Sequence, residues 1–383
     1  MKLLPLFVFW CLWFLNFSTR TVFSPLLPLI EDSLHLSHGK AGGLFISYSV
    51  GYGATLLVTG RFAPLWGYKR TVVLGFIGIG LVFLALQWVE SYLSLHLLFF
   101  LLGTASGTYL PSILPILTET YDYRHWGKAI GLHDSGASVS ILSIPVLVAF
   151  GLEFLPWRRL PLLIGIASLL LPIFFWKVSI EPKLQMSQEG SSYVNLFKRE
   201  TIWIIGLLWI FATGCCLGIY SILPLYLIKE RGIDLYFANN LFGISRAVGI
   251  VVPILTGFLI DRYGYRRMLT GSLLVTGLST IALSLSSTLP LILINLIFQA
   301  TFSLAFFPAG LAAIAKLTHV SERAMATGVV IAIGVIFGMG GTPFLLGLIA
   351  DHSSFRVGIL LVGALTILSS IAVRFLKERQ RET

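Results

Sequence analysis

Long apolar runs alternate with short polar breaks along almost the whole chain. The runs fall at 5–29, 42–62, 71–88, 92–116, 128–151, 159–177, 202–228, 237–260, 267–286, 290–315, 324–349 and 355–375. Each is close to the ~20 residues that carry an α-helix across a bilayer. A helix also satisfies every backbone N–H and C=O within its own segment, which hydrocarbon demands. The pattern predicts an all-α integral membrane protein with twelve transmembrane helices. Lys2 ahead of an apolar run imitates a secretory signal, but no small-residue cleavage pattern follows and the run continues through Leu29, so 5–29 reads as the first span.

The longest polar stretch, SIEPKLQMSQEGSSYVNLFKRET, lies between the sixth and seventh runs. It divides the chain into a six-helix bundle over 1–178, a linker over 179–201 with its midpoint near Gly190, and a second six-helix bundle over 202–383. The two bundles repeat each other. TGRFAPLWGYKR at 59–70 returns 197 positions later as TGFLIDRYGYRR at 256–267, so Gly60 matches Gly257, Gly67 matches Gly264, Lys69 matches Arg266 and Arg70 matches Arg267. The same offset carries Pro111 onto Pro308, Ala129 onto Ala326 and Gly131 onto Gly328. A single shift shared by separated landmarks is the mark of a tandem duplication with parallel repeats.

Composition agrees and adds orientation. The chain is 56% hydrophobic and 11% charged, with a mean hydropathy of +0.88, far from the ~25% charged residues of soluble domains. A net charge of +10 invites a nucleic-acid reading, so the location of the cations decides. With these spans, 19 of the 27 Lys and Arg residues fall on one side, 6 on the other and 2 inside spans. That asymmetry is the positive-inside rule, which removes nucleic acid as a partner and places both termini in the cytoplasm of a multi-pass cell-membrane protein. Cys11, Cys215 and Cys216 lie in apolar runs without metal or disulfide spacing, and no cofactor motif is present.

Polar residues inside spans carry the chemistry. Arg20 and Arg246 lie near mid-bilayer, where a charge costs about 2.5–3.5 kcal/mol on insertion scales and must face a cavity or a partner. Asp134 is the one acidic side chain well inside a span, and one acid cannot neutralise two arginines. A guanidinium left for a solute suits a carboxylate or phosphate, which it holds bidentately. Helical phase extends the candidate solute-binding set. Asn16, Arg20 and Ser24 stack on the first span; Tyr48, Tyr52 and Thr55 on the second; Asn239 and Arg246 on the eighth; Asn295 and Gln299 on the tenth. Each tyrosine or amide alone reads equally as an interhelical hydrogen bond. The third, sixth, ninth and twelfth spans are almost purely apolar and read as lipid-facing supports. GTASG at 103–107 and GVIFG at 334–338 read as close helix packing.

His133, Asp134 and Ser135 imitate a catalytic triad. Consecutive helical residues diverge by about 100° and cannot form a relay, so no enzyme is expected. His133 and Asp134 remain candidates for carrying a coupling proton, or for an inner gate in which Asp134 pairs with Arg124 or Lys128.

The pattern G-x-x-x-D-R-x-G-x-R-R at Gly257, Asp261, Arg262, Gly264, Arg266 and Arg267, echoed at Gly60, Gly67 and Arg70, resembles the signature loop of the major facilitator superfamily. GKAIGLHDSG at 127–136, with Trp157-Arg158, is similar to that family's fifth helix and following loop. The resemblance spans the chain and implies two six-helix repeats around a central cavity, alternating access, and a loop acting as a cytoplasmic latch through its acid. Pro64 and Leu65 stand where the first copy needs its acid and basic residue, so only the second copy, with Asp261, carries the full latch. Arg20-x-x-Phe23-x-x-x-x-Pro28 also resembles the first helix of the organophosphate and anion–cation branches, whose arginine binds the anionic substrate. The reading is a monomeric secondary transporter of a small organic anion, moved in symport with protons. The competing readings are a drug/proton antiporter and, from another class, a membrane sensor without transport.

Overall fold

The computed structural model describes residues 2–182, 196–319 and 322–376, so the middle of the linker, Gly190 included, lies outside the described residues. All regular structure among them is helical. The first half contains α1 (Leu3–Thr21), α2 (Phe23–Ser33), α3 (His38–Trp66), α4 (Tyr68–Ala85), α5 (Tyr92–Gly107), α6 (Tyr109–Thr120), α7 (Trp126–Gly151) and α8 (Arg159–Val178). The second contains α9 (Glu200–Thr213), α10 (Ile219–Leu225), α11 (Leu235–Ile244), α12 (Val252–Tyr263), α13 (Tyr265–Leu285), α14 (Leu289–Leu317), α15 (Arg323–Ile333), α16 (Gly341–His352) and α17 (Phe355–Ser369).

The duplication governs the helix boundaries. α1 and α9, α3 and α11, α4 and α13, α5 and α14, and α7 and α15 all start 197 residues apart. Gly67 and Gly264, the turn glycines of the two loop copies, both adopt positive φ, at 94° and 80°. A side chain would be strained there, which explains why both copies keep glycine.

Eleven stretches among the described residues are long and apolar enough to cross a membrane. The remaining expected span, the eighth at 237–260, is not one continuous helix. It is broken between α11 and α12 by a turn at Ser245–Arg246 and a tight helical turn at Ala247–Ile250. Pro253 stands in the first turn of α12, just after the break, where in an unbroken helix its ring would meet the carbonyl of Gly249. The repeat-equivalent residue of α3 is Leu56, and α3 runs unbroken from His38 to Trp66. The expected shared helical face of Asn239 and Arg246 is therefore corrected: the break separates them.

The chain forms two compact units that do not coincide with the limits 1–178 and 202–383. One comprises 1–36, 47–187 and 224–244, the other 37–46, 188–223 and 245–383. In the first unit α11 packs on α7, with the Cα of Gly243 so placed that a Cβ would lie 2.8 Å from the Leu142 carbonyl oxygen. Lys229 Nζ there pairs with the Asp32 carboxylate. In the second unit the start of α3 packs on α16. Asp351 accepts hydrogen bonds from His38 N at 2.8 Å and Gly39 N at 2.9 Å, and a Cβ on Gly42 would lie 2.2 Å from the Pro343 carbonyl oxygen. The start of α3 and the whole of α11, each of which falls in the unit of the other repeat, are themselves repeat equivalents.

Burial corrects one further expectation. Within the apolar 18-residue window of each span, 28% of residues are buried in the sixth against 72% in the first. The fourth, fifth and tenth spans, however, are no more buried than the third and ninth, so apolar composition alone does not identify the helices that face lipid. The glycine pairs do pack as expected. Gly103 meets the Tyr48 carbonyl of α3, and Gly338, in a wide π-helical turn over 334–340, meets the Ile210 carbonyl of α9.

Candidate functional site

Arg20 lies one residue from the end of α1, and its side chain is 7% exposed. Its setting is built by polar residues that fasten α1 to its neighbours. Thr19 Oγ1 lies 2.8 Å from Tyr48 Oη and 3.1 Å from Ser106 Oγ, while Asn16 Nδ2 donates to the Ser106 carbonyl at 3.0 Å. Asn16 thus turns only its oxygen toward the guanidinium, and Arg20 Nη2 donates to it at a long 3.5 Å. The guanidinium carbon is 4.4 Å from the ring centres of Phe17 and Tyr52 and 5.7 Å from that of Tyr48. Arg20 Nε is buried with no hydrogen-bond partner among the described residues. Aromatic faces stabilise a cation by about 0.5–2 kcal/mol each but take up none of its N–H groups. No carboxylate pairs with Arg20 among the described residues. The site holds a positive charge and leaves donor capacity unspent.

Arg246, 3% exposed, sits at the turn that breaks the eighth span. Its Nη1 donates to Gln299 Oε1 at 3.2 Å, and its guanidinium carbon is 5.6 Å from the Tyr220 ring centre. Gln299 is oriented by backbone irregularity in the seventh span. Residues Gly214–Gly218 form a π-helical turn, and Gln299 Nε2 takes the Cys215 carbonyl at 2.5 Å, which turns Oε1 to the arginine. Such turns expose carbonyls that a regular helix would pair, and they concentrate at functional sites.

Other expected site residues fall elsewhere. Asn239 is buried and donates weakly to the Pro25 carbonyl at 3.4 Å, within the first unit. Asn295 donates to Ser286 Oγ at 2.9 Å at the end of α13, so it does not act with Gln299 despite the shared helical face. Tyr52 does join Arg20, stacked on Tyr48 at 6.2 Å.

The His133–Asp134–Ser135 run points three ways, as its phase requires. Tyr109 Oη donates to the Phe9 carbonyl at 3.0 Å and so accepts from His133 Nε2 at 3.0 Å. Asp134 Oδ1 accepts from Trp13 Nε1 at 3.2 Å, and Ser135 Oγ accepts from Trp10 Nε1 at 3.0 Å. His133 is buried and stacked on Trp13 and Tyr109, with ring centres 5.6 and 5.9 Å away, which is a packing role. Asp134 is exposed and makes no ion pair with Arg124 or Lys128, so the expected inner-gate pairing is not formed. The tryptophans of α1 were not legible as partners, because nothing in a sequence says which turn of α7 they meet.

The two signature loops are tied down in the same way. Lys69 Nζ donates to the Trp176 and Ser179 carbonyls at 2.9 Å each, and Arg266 Nη2 donates to the Leu376 carbonyl. Lys69 and Arg266, and Ser179 and Leu376, are related by the offset of 197, so the duplication extends to individual hydrogen bonds. Where the first copy has Pro64 in place of its acid, Glu181 from beyond α8 supplies a carboxylate. It accepts from Tyr68 N at 2.6 Å and Lys69 N at 3.1 Å and so caps the N-terminus of α4. Asp261 and Arg262 of the second copy are exposed.

A family model described as Major Facilitator Superfamily matches residues 9–257 and 241–383. The chain is 26% identical over 363 residues to the 3-(3-hydroxy-phenyl)propionate transporter of Escherichia coli (strain K12), covering 92% of this chain and 88% of that protein. It is 23% identical over 297 residues to multidrug resistance protein 2 of Bacillus subtilis (strain 168), covering 73% of each. The fold superposes on a bacterial homologue of the human lysosomal transporter Spinster, in its inward-facing and unoccupied form, with a TM-score of 0.82, 16% identity and coverage of 99% of this chain and 98% of that one. Family matches covering nearly every residue, a duplicated signature loop and a two-repeat helical fold converge, and the chain belongs to the major facilitator superfamily, as a membrane transporter and not an enzyme.

Proposed function

We propose that the protein carries small organic anions across the cell membrane by alternating access, with Arg20 and Arg246 as the anion-holding residues. The observation that carries this reading is Arg20, a buried guanidinium ringed by Phe17, Tyr48 and Tyr52, with its Nε unpartnered, a long bond to Asn16 and no carboxylate partner among the described residues. A charge held at this depth without a protein counter-ion is costly, and an anionic solute offsets that cost while it is bound. Asn16 and Gln299 orient the two arginines, and Tyr52 forms one wall. A drug-exporting reading draws on the aromatic walls and on the similarity to multidrug resistance protein 2. Uptake by proteoliposomes of labelled carboxylates, phosphate esters and cationic drugs, with and without a pH gradient, decides between the two. Accumulation of cations alone would overturn the anion reading.

Asp134 is the proton carrier in this reading, since it is exposed within a span and held by an indole instead of a cation. Asp134→Asn is expected to abolish pH-driven accumulation while leaving solute exchange across the membrane intact. Loss of both would return Asp134 to a structural role.

Both termini are cytoplasmic in this reading. Single cysteines placed within 31–40, 229–236 or 351–354 are then expected to react with an impermeant thiol reagent added outside, and those within 61–70 or 262–267 to stay unreactive until the membrane is opened. The opposite pattern would reverse the orientation.

A further inference from the structure

On the outer surface of the first unit, α4 and α8 enclose a groove of about 280 Å³. Val73 and Ile77 line it from α4, and Leu169, Pro172, Ile173, Trp176 and Lys177 line it from α8. Both ends are defined. At one end the helices touch through glycine: a Cβ on Gly80 would lie 2.4 Å from Leu169 Cγ, and one on Gly165 would lie 2.7 Å from Phe83 Cβ. At the other end Lys69 Nζ ties α4 to the Trp176 and Ser179 carbonyls. Between Gly80 and Lys69 the helix axis rises by roughly 16 Å at ~1.5 Å per residue. That is close to the ~15 Å depth of one leaflet of hydrocarbon.

The apolar walls finish in cations. Arg70, Val73 and Ile77 follow one another at helical spacing on α4, as Leu169, Ile173 and Lys177 do on α8. Arg70 and Lys177 are both exposed, as is Trp176, a residue type enriched at the headgroup level of bilayers. Lys69 is engaged by two carbonyls, and Glu181, the acid at this end, is engaged by the Tyr68 and Lys69 backbone N–H groups. The groove is therefore an exposed apolar surface with Lys177 in its lining and Arg70 one turn before Val73 on α4, neither of them in an ion pair among the described residues.

We propose that this groove is a binding site for an anionic phospholipid, with an acyl chain lying between α4 and α8 and its phosphate held by Arg70 and Lys177. The duplication provides a control inside the same molecule. The equivalents of Arg70 and Lys177 are Arg267 and Arg374, but Val73 and Ile173 are replaced by Thr270 and Ser370, which interrupt the apolar walls.

The test is native mass spectrometry of the detergent-purified full chain titrated with phosphatidylglycerol or phosphatidylcholine. The wild type is expected to retain one phosphatidylglycerol at least tenfold more tightly than phosphatidylcholine. Arg70→Gln with Lys177→Gln is expected to remove that preference, whereas Arg267→Gln with Arg374→Gln keeps it. Ile173→Trp fills the groove from an exposed position, leaves both cations in place, and is expected to release the lipid. The site is refuted by equal retention of the two lipids, by equal losses in the two charge-neutralised pairs, or by wild-type retention in Ile173→Trp.

Discussion

Replacement of Arg20 by lysine is expected to weaken binding of the transported anion by about ten- to a hundredfold while leaving the protein folded. Hydrogen bonds to a charged group contribute about 1.5–3 kcal/mol, and each ~1.4 kcal/mol is a factor of ten in affinity. Lysine keeps the positive charge and the stacking against Phe17 and Tyr52, but it lacks the planar fork that holds two oxygens at once. Arg20→Gln removes the charge as well and is expected to abolish binding. A structural arginine would behave otherwise, because its removal hurts through the partner left behind. The acid best placed to be that partner, Asp134, instead accepts from Trp13 in the same unit. Binding measured by scintillation proximity in Arg20→Lys, Arg20→Gln and Arg20→Gln with Asp134→Asn separates the two roles. Wild-type affinity in the lysine variant, or rescue in the double variant, would remove Arg20 from the solute site.

Gly103→Val is expected to destabilise the first unit by about 3 kcal/mol or more. A Cβ at this position would lie 2.0 Å from the Tyr48 carbonyl oxygen and 3.0 Å from Tyr52 N. Both are backbone atoms, which cannot swing aside as a side-chain end can, so the cost reaches or exceeds the ~1–3 kcal/mol usual for overpacking. The clash also acts on function, since Tyr48 and Tyr52 form two walls around Arg20. Gly131→Ala is the comparison, because a Cβ there meets nothing within 4 Å. It is expected to be neutral or slightly stabilising, as alanine is the better helix former. Thermal unfolding in detergent, followed by thiol exposure, checks both; equal transitions for Gly103→Val and the wild type would show that α3 and α5 need no glycine contact.

Much of this was legible in the chain alone. The spans follow from apolar runs and the demand of hydrocarbon for paired backbone groups, which act locally. The duplication follows from one offset, and it proved to reach helix starts, two positive-φ glycines and the Lys69 and Arg266 hydrogen bonds. The divergence of His133, Asp134 and Ser135 follows from helical geometry. Tertiary structure decided the rest. Helical phase placed Asn295 beside Gln299 and Asn239 beside Arg246, yet each found a different partner, since phase names a face and not the neighbour it meets. Pro253 was visible, but whether it would bend or break its helix depended on packing. The placement of the α3 start and of α11 in their units, the Glu181 cap and the α4–α8 groove all arise from residues far apart in sequence. Their approach is set by helix rotation and crossing, which local pattern does not encode.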